Sequence, residues 1–277
     1  MNIGFMQGRL CERVDGKIQA FPVRDWESEF EVAQHLGLVL MEWTLDQDFL
    51  YENPLMTVAG RQRIGELARL YGVRILSLTG DCFMQAPFYK VSGAARISLL
   101  NDLNAVLDAS AELGIRYVLL PLVDNGSLTT DEEEQALIDG LLPLRERLVA
   151  GNLKIVFESD FGPERLASFI ARFPEDAFGI NYDIGNSAAL GYCATEEIAS
   201  YGLRIDNVHV KDRILGGSTV ALGSGNADFP EVFCALRKLG YAGNFILQTA
   251  RADDGDHAGA VARYRDMTRT WWCGHEA

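Results

Sequence analysis

The chain is short of positive charge. Lys and Arg number 25 against 39 Asp and Glu, a formal net charge of −14 over 277 residues. So acidic a protein repels a phosphate backbone, which argues against nucleic-acid binding, and it disfavours anionic membrane surfaces. Long apolar runs are missing as well; none approaches the roughly 18 residues of a membrane span. The first residues, MNIGFMQGRL, lack the basic lead and long apolar stretch of a signal peptide. Cysteine is sparse and widely spaced: Cys11, Cys82, Cys193, Cys234 and Cys273 form no C-x-x-C pair. That pattern points to reduced thiols, and the expected location is the cytoplasm. Histidine occurs only four times. A Gly-rich phosphate loop after the first strand is also absent, since MQGRL holds a single Gly. An open doubly wound sheet would normally carry one.

What is present is a rhythm. Short apolar runs alternate with stretches of helical spacing. NIGFM precedes WESEFEVAQHLG, and LVLMEW precedes VAGRQRIGELARLYG. VRILSLTG leads to a long helix over roughly 93–114, then to IRYVLLPLV. TTDEEEQALIDGLLPLRERLVAG reads as a helix that starts on Thr130 before four acids. LKIVFES, FGINYDIG, IDNVHVKD and NFILQTA continue the series, each with a helix after it. Alternating strands and helices imply parallel pairing. Eight such units in a chain of this length predict a (β/α)₈ TIM barrel, a single domain over residues 1–277.

In such a barrel the chemistry sits where the strands end. The runs end on Gln7 and Arg9, Glu42, Thr79 and Asp81, Asp124, Glu158, Asp183, His209 and Lys211, and Gln248. Alternation fixes the phase. In NVHVKD, Val208 and Val210 face the helices, while Asn207, His209 and Lys211 point inward. The same parity places Leu40 with Glu42, Val156 with Glu158, Asn181 with Asp183, and Ile246 with Gln248. An inward acid is costly unless it is paired or metal-bound. Each of these residues alone would pass for a loop-start or core group. Together, Glu158, Asp183, His209 and Gln248 form a set of oxygen ligands plus one imidazole, suited to Mn²⁺, Mg²⁺, Co²⁺ or Zn²⁺. Of the other histidines, His35, His257 and His275 are expected at the surface. Trp43, Phe83 and Phe88 could line a pocket or belong to the core, and Trp271 and Trp272 suit helix packing.

Three segments carry a family resemblance: YDIGNSAALGY, NVHVKDR and LGSGNADFPEVFCALRKLGYAGNFILQTAR. They resemble the xylose isomerase-like barrel superfamily, in its branch of sugar and sugar-phosphate isomerases and epimerases. The resemblance covers nearly the whole chain. It implies a divalent metal held by Glu158, Asp183 and His209, with Gln248 where the family's epimerases have a second Glu. It implies proton abstraction beside a carbonyl through an enediolate, with Glu158 as base. An amide cannot return the proton. That leaves isomerisation with one base, or epimerisation with another acid such as Glu42 or Asp46. Dehydration of a keto-polyol and a non-catalytic sugar-binding barrel are the alternatives. Abasic-site endonucleases of the same fold are disfavoured by the charge and by the single well-placed His. Gln7, Arg9, Glu42, Lys211, Arg213 and Arg251 are expected to contact substrate, a small sugar or sugar phosphate. The cations among them form either an anion site or salt bridges to nearby acids. A homo-oligomer stays open.

Overall fold

A computed structural model describes residues 1–274. Eight parallel strands close into a barrel: β1 (Asn2–Met6), β2 (Leu40–Thr44), β3 (Arg74–Thr79), β4 (Tyr117–Leu122), β5 (Lys154–Ser159), β6 (Phe178–Asp183), β7 (Ile205–Val210) and β10 (Asn244–Leu247). Each pairs with its sequence neighbours, and β10 pairs with both β7 and β1 to complete the ring. A short hairpin, β8 (Asp212–Arg213) with β9 (Thr219–Val220), follows the seventh barrel strand. All eight strand-like runs of the sequence are strands of this barrel.

The helices are α1 (Ser28–His35), α2 (Val58–Tyr71), α3 (Asp81–Gln85), α4 (Gly93–Leu113), α5 (Asp131–Leu141), α6 (Arg145–Ala150), α7 (Pro163–Ile170), α8 (Ile184–Leu190), α9 (Ala194–Tyr201), α10 (Phe229–Leu239) and α11 (His257–Cys273). Local chemistry sets their ends. Thr57 caps α2 by accepting from Gly60 N, and Thr130 caps α5 by accepting from Glu133 N. The helix expected from Thr130 onward is broken in two. Pro143 lacks the N–H that would continue the ladder, and a 3₁₀ turn over Leu142–Leu144 separates α5 from α6.

Outward strand residues such as Phe5, Met41, Val118, Phe157, Val208 and Phe245 join the helices in one continuous core. Trp43, Phe83 and Phe88 belong to that core, and the Trp43 indole donates to Asn53 Oδ1 at 3.0 Å. Trp271 stacks on Phe229 with centroids 4.1 Å apart, so it serves helix packing. Inward residues of opposite parity, Leu40, Leu119, Val156 and Ile246, are also buried and fill the barrel below the polar layer. Gly4 makes that closure fit: a Cβ there would lie 2.6 Å from Leu40 Cβ.

Two register shifts tune the polar layer. β3 gains one residue, Leu76, between the pairs Met41↔Ile75 and Glu42↔Ser77. β7 gains Asp206 between Ile180↔Ile205 and Asn181↔Asn207. Bulges of this kind re-aim side chains. Beyond the second one, Asp183 and His209 stand directly opposite each other.

Candidate active site

Glu158, Asp183 and His209 meet at the C-terminal end of the barrel. One ligand atom from each lies within 4.8 Å of the others, and all three residues are buried. His209 is fully buried between acids on both sides. Its Nε2 lies 2.6 Å from Glu42 Oε1. Its Nδ1 lies 3.1 Å from Glu158 Oε2 and 3.8 Å from Asp183 Oδ2, yet makes no hydrogen bond. Burial works against charge on this ring, but Glu42, Asp183 and Glu158 together hold its pKa well above the ordinary value.

Amides brace the acids. Asn181 and Asn186 donate to the two oxygens of Glu158 at 2.8 and 2.7 Å. Asn207 donates to Glu42 Oε2 at 3.0 Å and to Asn181 Oδ1 at 2.8 Å. Asp183 has two tasks. Its Oδ1 caps α8 by accepting from Asn186 N at 2.8 Å, and its Oδ2 accepts from Lys211 Nζ at 3.2 Å. Burial would raise its pKa, but Lys211 and His209 outweigh that and hold it at about 2. Gly185 permits this packing, since a Cβ there would lie 2.7 Å from Lys211 Cγ.

Gln248 follows β10 directly, and its backbone N–H donates to Val210 O, so it stands at the same end of the barrel. Its side chain is buried; Nε2 donates to Gln19 Oε1 at 3.0 Å, and Oε1 has no partner. Gln19 lies on the segment 7–27 that joins β1 to α1, and its own Nε2 donates to Asp81 Oδ2 at 2.5 Å. This segment therefore spans the mouth from the β3 end to the β10 end. Arg251 pins it by donating to Gly8 O, to Ile18 O at 2.7 Å and to Cys11 O at 3.3 Å. Arg9 donates to Ile18 O at 3.1 Å and Gln19 Oε1 at 3.2 Å. From the other side, the Glu29 carboxylate accepts from Gly8 N at 2.8 Å and Leu10 N at 3.0 Å. Burial pushes Glu29 up to about 7 despite these bonds.

The expected substrate contacts thus have internal partners. Glu42 backs His209, and Gln7 braces β2 by accepting from Thr44 N at 3.1 Å. Arg9 and Arg251 hold neutral carbonyl oxygens rather than acids, all of them main-chain except Gln19 Oε1. Lys211 and Arg213 share Asn186 Oδ1 at 3.1 and 2.8 Å. Asp124 is exposed in a turn after β4. The expectation that His257 is a surface residue fails: it is 8% exposed at the start of α11, with Nε2 3.3 Å from Glu12. His35 is exposed, and His275 lies outside the described residues. Sequence reasoning gave no role to Asn181, Asn186, Asn207 or Gln19. The first and third shared the inward parity of the acids, and Asn186 stood in the DIGN segment; for Gln19 there was no signal. A groove of about 430 Å³ lies beside the mouth, lined by Phe21, Trp26, Asp46 and Phe49 among others, but by none of Glu158, Asp183, His209 or Gln248.

Comparison with known proteins agrees with the fold. Residues 15–270 match the family described as xylose isomerase-like TIM barrel. An L-ribulose-5-phosphate 3-epimerase, UlaE, of Escherichia coli O1:K1 is 24% identical over 255 residues, covering 88% of this chain and 89% of its own. The structure of a D-psicose 3-epimerase with D-tagatose from Clostridium cellulolyticum H10 superposes with a TM-score of 0.76 at 12% identity, covering 98% of this chain and 99% of its own. The 3-keto-D-glucoside 4-epimerase YcjR of E. coli superposes with a TM-score of 0.69 at 16% identity, covering 96% and 99%.

Proposed function

The chain belongs to the xylose isomerase-like TIM barrel family, and from that premise we propose that it is a divalent-metal-dependent sugar or sugar-phosphate isomerase or epimerase. The observation that carries the reading is the His209 Nδ1: buried, without a hydrogen bond, and facing two carboxylates. A buried polar atom left unpaired is rare and calls for a ligand. The Gln248 side-chain oxygen, Oε1, is likewise buried and accepts no hydrogen bond. Glu158, Asp183, His209 and Gln248 would hold the ion, with Glu42 fixing the imidazole from behind, as carboxylates do behind metal-binding histidines. Hard oxygens with one nitrogen suit Mn²⁺, Mg²⁺, Co²⁺ or Zn²⁺. When bound, such an ion polarises a carbonyl and its neighbouring hydroxyl.

Glu158 is the base. Asn181 and Asn186 fix its carboxylate in one orientation, toward a proton on the carbon beside the carbonyl. Burial of the centre keeps water from competing for the enediolate of the substrate. Gln248 neither takes nor gives a proton and instead offers its amide to a hydroxyl or to the ion. Its neutrality favours, as a second reading, aldose–ketose isomerisation by Glu158 alone. Between sugar and sugar phosphate, the cations favour the uncharged sugar: Arg9 and Arg251 are committed to carbonyls, and only Lys211 and Arg213 stand beside the centre. Solvent-deuterium incorporation across ketoses and ketose phosphates, with Mn²⁺ added, tests the reading. Exchange at the carbon beside the carbonyl is expected. Its absence across the panel, with no gain in stability from Mn²⁺, would overturn it.

A further inference from the structure

Inversion at carbon needs a titratable group on each face, and Gln248 is not one. Neither acid that the sequence suggests in its stead is free. Glu42 is fully buried, with Oε1 on His209 and Oε2 on Asn207. Asp46 accepts from Phe21 N at 2.9 Å and Gln85 Nε2 at 2.8 Å, at the rim. We propose that Asp81 is the second acid–base residue of this site, a catalytic carboxyl supplied after the third strand rather than the eighth, with Gln19 holding its place until a substrate hydroxyl replaces it. This rests on the isomerase/epimerase reading.

Asp81 is the first residue of α3 and is buried. Its Oδ2 accepts only from Gln19, and its Oδ1 lies 3.5 Å from the Thr79 hydroxyl. Gln19 in turn accepts from Gln248 Nε2, so one side-chain amide links Asp81 to the end of the eighth barrel strand. That amide is carried by a loop whose neighbours Lys17 and Ile18 are exposed. Its departure leaves Asp81 Oδ2 and the Gln248 amide N–H without partners, and both must be satisfied. A polyol hydroxyl, which donates and accepts at once, satisfies both. Three charged groups face Asp81: Glu158 and Asp46 raise its proton affinity, and Arg9 lowers it. Burial is the largest influence, and the carboxyl is pushed up to about 7. Both protonation states are therefore populated near neutrality, as a group that gives and takes a proton requires.

The step balances. Glu158 takes the proton, and the C–H electron pair moves into the enediolate of the substrate. Protonated Asp81 then delivers its proton to the opposite face of the same carbon, and the electron pair returns to rebuild the carbonyl. Glu158 ends protonated and Asp81 ionised, and exchange with solvent resets the pair.

The test uses the Mn²⁺-loaded full chain in D₂O, following deuterium exchange and inversion separately on the ketose panel. Asp81→Asn is expected to retain exchange within several-fold while inversion falls at least about 100-fold and loses its pH dependence near 7. Asp81→Glu is expected to restore part of the inversion. Gln19→Ala, which leaves Asp81 in place, is expected to keep inversion and lower KM. Unchanged inversion in Asp81→Asn, with the wild-type pH profile, overturns the proposal. So does a parallel loss of exchange and inversion with Mn²⁺ binding intact. Should Asp81→Asn fail to fold, a parallel fall of exchange and inversion in Asp81→Glu, with Mn²⁺ binding intact, overturns it as well. If the wild-type protein shows no exchange on any ketose, the isomerase/epimerase reading fails first, which is a different result.

Discussion

The two sides of the barrel mouth are built from different material. On the side of β5, β6 and β7, Glu158, Asp183 and His209 stand on or at the ends of strands and are cross-braced by Asn181, Asn186 and Asn207. On the side of β1 and β10, the polar groups come from a loop: Gln19 reaches Asp81 and Gln248, and Arg251, Arg9 and Glu29 grip the loop backbone. The first side has its acids fixed by side-chain amides. The second is closed by the side-chain hydrogen bonds of Gln19 to Asp81 and Gln248. Precision sits on strands, where each residue costs little to orient, and adaptability sits on the loop.

The sharpest way to break this contrast is at Glu158. Glu158→Gln should lower proton exchange by about 10³-fold with little change in melting temperature, as read by deuterium incorporation and thermal unfolding. Full exchange in that variant would remove Glu158 as the base. Metal is the next lever on the strand side. Mn²⁺ at 100 times its Kd should add about 2.7 kcal/mol, a rise of about 5–10 °C in Tm that a chelator reverses. His209→Ala should abolish that rise. On the loop side, Arg251→Ala strips charged donors from three carbonyls, and about 2 kcal/mol of stability should go with them. Faster proteolytic cleavage within residues 8–20 should accompany the loss, while Mn²⁺ binding stays intact. If Mn²⁺ binding fell too, the two sides would not be separable.

The smallest effect concerns Glu29. Its folded pKa, about 7, lies above its ordinary value of 4.5. The stability it contributes is therefore complete below about 4.5 and lost as pH rises through about 7. The slope reaches at most about 1.4 kcal/mol per pH unit. Glu29→Gln keeps an acceptor for Gly8 N and Leu10 N, so it should flatten Tm against pH between 5 and 7. An unchanged slope would place the titration elsewhere.

The strand side was readable in the sequence because alternation carries it. The parity that turns Val208 and Val210 outward turns His209 inward, and the same rule places Glu158 and Asp183. The loop side was not. Glu42 meets His209 across 167 residues of chain, and no local pattern announces such a pairing. Gln19 sits in a stretch with no periodicity. Arg251 has the composition of an anion contact, but its partners are carbonyls, which sequence does not distinguish. His257 looked like an ordinary helix start because burial there comes from the loop folding over it. Pro143 was visible, but its break in the helix was overruled by the apolar spacing on either side.

Asp183 leaves one consequence for anyone who would redesign this centre. The same carboxyl starts α8 and faces His209, so a substitution meant to alter the centre also unseats a helix. A library that varies position 183 alone will therefore mix misfolded clones with altered ones. Productive variation has to move Asp183, Gly185 and Asn186 as one inherited block.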